Sequence, residues 1–199
     1  MTVAGGSPPD EKRSLRAELI AARARMSVDE RARRSEAIAT AVDEDAGFRA
    51  AQIVAVYAPL GAEVDALPIA RRAAARGACV VFPRVVAGTR RLEFARCDPA
   101  ALVPGPLGIL QPPPAASAVA LAGIDCVVVP GIGFSADGHR LGRGGGYYDA
   151  TLAAMPRARR IAVAFEVQVV AALPREPHDA PLDALVTETR RLEFRRDPD

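Results

Sequence analysis

Apolar positions along this chain follow two periods, and the two alternate. Leu15, Leu19, Ala22 and Met26 recur at helical spacing within 11–26, with charged residues between them. Ser27-Val28-Asp29-Glu30 has the form of a capping box, opening a second helix that reaches about residue 44. The period then changes. Short, mainly apolar runs at 53–57, 79–82, 124–129, 161–165 and 184–187 read as strands buried on both faces, the second ended by Pro83. Residues 65–76 read as a helix closed by Gly77, and 147–154 as a further helix. Residues 91–96 alternate like a strand with one wet face, and 104–114 form a proline-rich connection with a short extended piece at 109–110. Strands alternating with helices predict an α/β fold: one three-layer α/β/α domain over 11–199, Rossmann-like, with a mainly parallel, mixed central sheet. Ligands of such sheets bind beyond the carboxyl ends of strands, so the loops after Tyr57 and Val129 are the places to look. The hexapeptide 89–94 recurs letter for letter at 189–194, which reads as two similar edge strands, candidates for neighbours.

Composition narrows the function. The 199 residues suffice to bury a sizeable core, and no apolar run has the length of a membrane span. A net charge of +2, scattered basic residues and 5% aromatics argue against a nucleic-acid partner. Residues 1–10 lack the apolar segment of a signal peptide and are expected to be a disordered tail. The three cysteines, Cys79, Cys97 and Cys126, have no metal-binding spacing and point to free thiols in a reducing cytoplasm. A monomer is the expectation. Lys12 is the only lysine among 26 basic residues, which suggests that position 12 requires an ammonium rather than a guanidinium. Arg16 lies four residues on, on the same helix face.

The densest signal is the run 130–149, where seven glycines (131, 133, 138, 142, 144, 145 and 146) surround Arg140 and Arg143. Such a loop frees backbone N–H groups to face an anion, and a helix starting near Tyr147 adds its positive end. Leu141, Tyr147 and Tyr148 are out of place in a solvated linker. The pattern is that of a phosphate cradle, with residues 135–148 expected to close over a bound nucleotide. It is neither a Walker loop nor a Gly-x-Gly-x-x-Gly turn.

These motifs, in this order, resemble the 5-formyltetrahydrofolate cyclo-ligase family. The resemblance rests on Lys12-Arg13-Ser14-Leu15-Arg16, then on Tyr57-Ala58-Pro59-Leu60-Gly61-Ala62-Glu63-Val64-Asp65, Phe82-Pro83-Arg84 and Leu107-Gly108-Ile109. Its most specific part is Arg140-Leu141-Gly142-Arg143-Gly144-Gly145-Gly146-Tyr147-Tyr148-Asp149, behind Val129-Pro130-Gly131. Ala164-Phe165-Glu166-Val167-Gln168, Pro177-His178-Asp179 and Thr187-Glu188 complete it. The resemblance implies an enzyme that closes the N5-formyl group of a reduced folate onto N10, with ATP as co-substrate and Mg²⁺ as metal. It implies ATP contacts from Lys12, Arg13 and Arg16, and from Arg140, Leu141, Gly142, Arg143, Gly144, Gly145, Gly146, Tyr147 and Tyr148. It implies folate contacts from Ala58, Glu63, Arg143, Gly144, Gly145, Gly146 and Tyr147, catalytic roles for Arg143 and Tyr147, and metal ligation by Asp149 and Asp179.

On their own, Lys12 and Arg16 also fit a solvated helix face, Glu63 a helix start and Asp149 a cap. Asp179, Asp183 and His178 fit ordinary turns. Four positions depart from the family: Ser135 and Gln111 stand where acids are expected, Ala150 where Arg or Lys is, and Ala66 where Thr is. Asp137 is a candidate replacement for the acid missing at 135. A relative acting on another substrate and a non-catalytic nucleotide- or folate-binding module are the alternatives.

Overall fold

The computed structural model describes residues 8–174 and 179–195. Among these residues are five α-helices: α1 Pro8–Ala24, α2 Val28–Asp43, α3 Ala46–Ala50, α4 Leu67–Ala75 and α5 Tyr147–Leu152. Strands β1 Ile53–Ala55, β2 Cys79–Val85, β3 Leu92–Arg96, β4 Val103–Pro104, β5 Leu110–Gln111 and β6 Ala118–Val119 fill the first half. The second half carries β7 Cys126–Val129, β8 Gly133–Ser135, β9 Arg140–Leu141, β10 Arg159–Val163, β11 Val169–Val170, β12 Ala184–Val186 and β13 Arg191–Glu193. The fold is mixed α/β about an eight-stranded sheet of order β13-β12-β10-β7-β1-β2-β3-β6. The five central strands, β12 to β2, pair in parallel, and β13, β3 and β6 add by antiparallel pairing.

Alternation along the strands divides the core into two layers. Val54, Val56, Cys126, Val128, Ile161, Val163, Ala184 and Val186 face one side, packed on Ile38, Val42, Phe48 and Ile69 from α2, α3 and α4. Ala55, Val127, Val129, Ala162, Ala164 and Leu185 face the other, packed on Leu152, Met155 and Phe134. Ser27 caps α2 as its sequence implies, its Oγ accepting from the Glu30 N–H at 3.1 Å. Among the described residues, no helix is long and apolar enough to cross a membrane.

The site is placed by topology. From β1 the chain moves to β2 on one side, then returns to β7 on the other side of β1. The loops leaving β1 and β7 therefore diverge, and a crevice opens between them at the carboxyl ends of the strands.

Several expectations require correction. β2 runs through Pro83 to Val85 rather than stopping before it. Cys79 N–H donates to the Gln52 carbonyl and the Val81 carbonyl accepts from Val56 N–H, so odd residues of β2 turn their backbone toward β1. β1 has ended at Ala55, so the N–H that Pro83 lacks has no strand to meet. The two copies of the hexapeptide are not neighbours. One feeds β3 and the other β13, near opposite edges of the sheet. α3, absent from the periodicity, is one turn built on Asp45, which is fully buried and accepts from Phe48 N–H at 2.7 Å. Asp45 also receives Arg159 and Arg191, tying α3 to β10 and β13. α4 and α5 are each shorter than predicted. Of the predicted tail, residues 1–7 lie outside the described residues, while 8–10 open α1.

Candidate active site

The crevice is a cavity of about 630 Å³ between the loops after β1 and β7, closed on one side by α1 and on another by β2 and β5. Lys12, Arg16, Ala58, Glu63, Arg140, Leu141, Gly142, Arg143, Gly144, Gly145, Gly146, Tyr147, Tyr148, Asp149 and Asp179 all line it. Arg13 is the exception among the sequence candidates: its side chain is 77% exposed and paired with Asp10. Lys12 is only 8% exposed, which removes it from the class of solvated helix charges. His178 lies outside the described residues.

The glycine run is not one loop. Gly133 begins β8 and Arg140 begins β9, and the two strands form an antiparallel hairpin with Gly133 opposite Leu141. At Gly133 an added Cβ would come within 2.5 Å of Leu19 on α1, so this glycine serves close packing. Ser135, Arg140 and Leu141 are buried, and the exposed part of the stretch leading into α5 is 143–145. There Gly144 (φ +97°) and Gly146 (φ +68°) hold left-handed conformations. α5 has six residues and begins at Tyr147 as the sequence indicates.

Four polar contacts shape the cavity wall. Arg16 Nε donates to the Gly142 carbonyl at 2.8 Å, fastening α1 to the glycine segment. Arg140 NH2 donates to Asp149 Oδ1 at 2.5 Å, with its guanidinium 5.8 Å from the Tyr148 ring. Arg143 donates to Glu63 Oε1 from Nε (3.2 Å) and NH2 (2.7 Å). Glu63 Oε2 accepts from Leu60 N–H at 3.0 Å, which fixes the carboxylate against its own turn. Burial raises the Tyr57 and Tyr148 hydroxyl pKa values, with Glu63 adding to both, so these phenols stay protonated near neutral pH. Tyr57 spends its proton on the Val64 carbonyl at 2.9 Å, bracing the Glu63 turn.

The donor set fits a hard cation. Asp149 and Asp179 share the wall, and among the described residues neither histidine nor cysteine lines it. Asp149 Oδ1 is engaged by Arg140, leaving Oδ2 for a metal. Among the described residues no cluster of three metal-ligating side chains forms. A metal here would complete its shell with water and phosphate oxygens, as Mg²⁺ does. Arg140 Nε is buried with no hydrogen-bond partner, an unspent donor at the cavity wall.

Residues without a sequence assignment also line the site: Tyr57, Leu60, Pro83, Val85, Leu92, Ile109, Gln111, Pro130 and Gly131. Tyr57, Leu60, Pro83, Ile109, Pro130 and Gly131 belong to the family motifs, but only the sheet brings Pro83 and Ile109 opposite the glycine segment. Gln168 acts from outside: its Nε2 donates to the Gly131 (3.1 Å) and Ile132 (2.9 Å) carbonyls, holding the chain as it leaves β7. Glu166 and Glu188, likewise in the quoted motifs, are structural. Glu188 Oε2 accepts from Glu166 N–H at 2.9 Å and pairs with Arg34 on α2. Of the departures, Gln111 alone lines the cavity, where its Oε1 accepts from Val85 N–H at 3.2 Å. The Ser135 hydroxyl donates to Asp137, so these two residues bind each other outside the cavity lining.

Comparison with known proteins agrees with this architecture. The profile of the 5-formyltetrahydrofolate cyclo-ligase family matches residues 8–188. A 5-formyltetrahydrofolate cyclo-ligase from Mycolicibacterium smegmatis is 31% identical over 188 residues, covering 92% of this chain and 96% of its own. One from Mus musculus is 28% identical over 189 residues, covering 89% and 93%. The NMR structure of Aquifex aeolicus 5,10-methenyltetrahydrofolate synthetase superposes with a TM-score of 0.81 at 31% identity, covering 94% of this chain and 95% of that one.

Proposed function

The chain belongs to the 5-formyltetrahydrofolate cyclo-ligase family and is a ligase, and on that premise we propose that it converts 5-formyltetrahydrofolate to 5,10-methenyltetrahydrofolate with consumption of Mg-ATP. One observation carries the reading: side chains from α1, the β1 loop, the glycine segment, α5 and the segment before β12 converge on one cavity at the switch point of the sheet.

An amide oxygen is a poor leaving group, so the formyl oxygen attacks the γ-phosphorus and ADP departs. The product is an N5-iminium phosphate. The N10 lone pair then attacks the formyl carbon, N10 loses its proton, and the C–O bond breaks with the formyl oxygen leaving in phosphate. Such chemistry asks for charge neutralisation and alignment rather than a protein nucleophile. The cavity matches that demand: among the described residues no serine, cysteine or histidine lines it.

Lys12, Arg16 and Arg140 supply positive charge for the nucleotide phosphates, with Leu141, Gly142, Gly144, Gly145, Gly146 and Tyr148 along the same wall. Arg143 offsets charge on the transferring phosphoryl group, and Tyr147 borders the reacting centre. Glu63 and Ala58 receive the pterin, whose amino and ring N–H groups suit a fixed carboxylate. Asp149 and Asp179 would hold the metal, which when bound supplies charge neutralisation at the phosphate oxygens. The protein works as one catalytic unit over 11–199, a cytoplasmic monomer with small-molecule substrates and neither nucleic-acid nor membrane partners.

The test is direct. Purified protein with 5-formyltetrahydrofolate and Mg-ATP should develop methenyltetrahydrofolate absorbance, with one phosphate released per turnover. Binding of both ligands without phosphate release would make it a binding module instead.

A further inference from the structure

Arg143 and Glu63 are each assigned above to a substrate, yet here they hold each other. Two adjacent N–H donors of the Arg143 guanidinium converge on Glu63 Oε1, at 2.7 and 3.2 Å, while Oε2 is fixed by Leu60 N–H. The Glu63 side chain is only 8% exposed, so Oε1 is the oxygen it presents to a ligand. A pterin offers such a carboxylate the same thing, because its 2-amino-4-oxopyrimidine edge is a guanidine closed into a ring, with an amino N–H beside a ring N–H. Arg143 and the pterin are therefore competitors for one acceptor. We propose that Arg143 is the resident occupant of the pterin subsite, that folate ejects it into the cavity where nucleotide phosphates receive it, and that this exchange couples folate and ATP binding positively.

This inference rests on the proposed function and adds a direction to it. Arg143 is the mobile partner: its side chain is 46% exposed and its residue sits between Gly142 and the left-handed Gly144. Arg16 pins the Gly142 carbonyl, so the swing is confined to a few exposed residues and costs no core contact. The sign of the coupling follows from the charges around the cavity. Without nucleotide, a released Arg143 would face Lys12, Arg16 and Arg140 in the same wall, three cations against the two acids Asp149 and Asp179, of which Asp149 is already taken by Arg140. With polyphosphate present, the same position becomes attractive. Glu63 keeps a cation at its back throughout, since Arg23 on α1 is 4% exposed and lies within its electrostatic reach.

Titration calorimetry decides it, using 5-formyltetrahydrofolate with and without saturating Mg²⁺ and β,γ-imido-ATP. In the wild type the nucleotide analogue should tighten folate binding about tenfold, and folate should tighten the analogue by the same factor. In Arg143→Ala, folate alone should bind at least as tightly as to wild type, since its competitor is gone. The analogue should then change folate affinity by less than about twofold. Arg143→Lys, which keeps the charge but not the paired donors, should show reduced coupling. Independent binding in the wild type overturns the proposal. So does a loss of folate affinity in Arg143→Ala without nucleotide, which would mean that Arg143 grips folate directly. If neither ligand binds the wild type, the assigned function fails, and this inference fails with it.

Discussion

Gly145 and Gly146 are adjacent in sequence, and the structure predicts opposite consequences for the same substitution at each. Gly146 has φ +68° and nothing within 4 Å of an added Cβ. Alanine there suffers only the left-handed backbone penalty, about 1–2 kcal/mol. For a chain of this length that lowers the melting temperature by roughly 2–8 °C, and Asn, which tolerates this conformation better, should lower it less. Gly145 is not left-handed. Its added Cβ would instead stand 2.9 and 3.1 Å from two carbons of the Tyr147 ring. Gly145 is exposed, so the ring shifts by a few tenths of an ångström at little cost to folding. Tyr147 borders the proposed reacting centre, where a misplacement of about 1 Å costs on the order of a hundredfold in rate. Gly145→Ala should therefore unfold at the wild-type temperature yet lose about tenfold in kcat. Thermal melts and methenyltetrahydrofolate absorbance measure the two effects independently. A Gly145→Ala enzyme with full activity, or equal destabilisation by both substitutions, would refute the argument.

Asp149→Asn should lower turnover by more than about tenfold, through loss of charge beside the phosphates, and chelation of divalent metal should abolish turnover in the wild type; unchanged rates at saturating Mg²⁺ would remove Asp149 from the site. Lys12→Ala should raise the KM for ATP far more than that for folate, and Lys12→Arg should restore little if a compact ammonium is what this buried position requires; full rescue by arginine would show that charge alone matters there. Burial raises the Asp45 pKa, but Arg159, Phe48 N–H and Arg191 more than offset it, so the folded-state value lies below the ordinary one. The stability this contributes is complete above the unfolded-state pKa, about 3.9, and is lost as pH falls through the lower folded value. Acid denaturation of Asp45→Asn should accordingly begin from a lower stability near pH 7 and show a shallower decline below about pH 4.

Local pattern alone accounts for much of this protein. The Ser27 cap, the stripe on α1, the short apolar strands and the start of α5 at Tyr147 all follow from periodicity and side-chain hydrogen bonding, which act within a few residues. The polar wall of the cavity came from the family resemblance carried by the ordered motifs, since on local pattern alone Lys12 also fits a solvated helix face, Glu63 a helix start and Asp149 a cap. What escaped is what depends on distant neighbours. Pro83 belongs inside a strand only because β1 ends before reaching it. The glycine run splits into a packed hairpin and a short exposed segment only because Leu19 of α1 lies against Gly133. Arg13 and Arg16 are three residues apart in one helix, and tertiary packing alone sends one to solvent and the other to Gly142. The exchangeable pair of Arg143 and Glu63, eighty residues apart, has no trace in local sequence. Residue identity specified which chemistry was available. The order of strands in the sheet decided which of those groups meet, because contact between distant segments is created by topology and not by spacing along the chain.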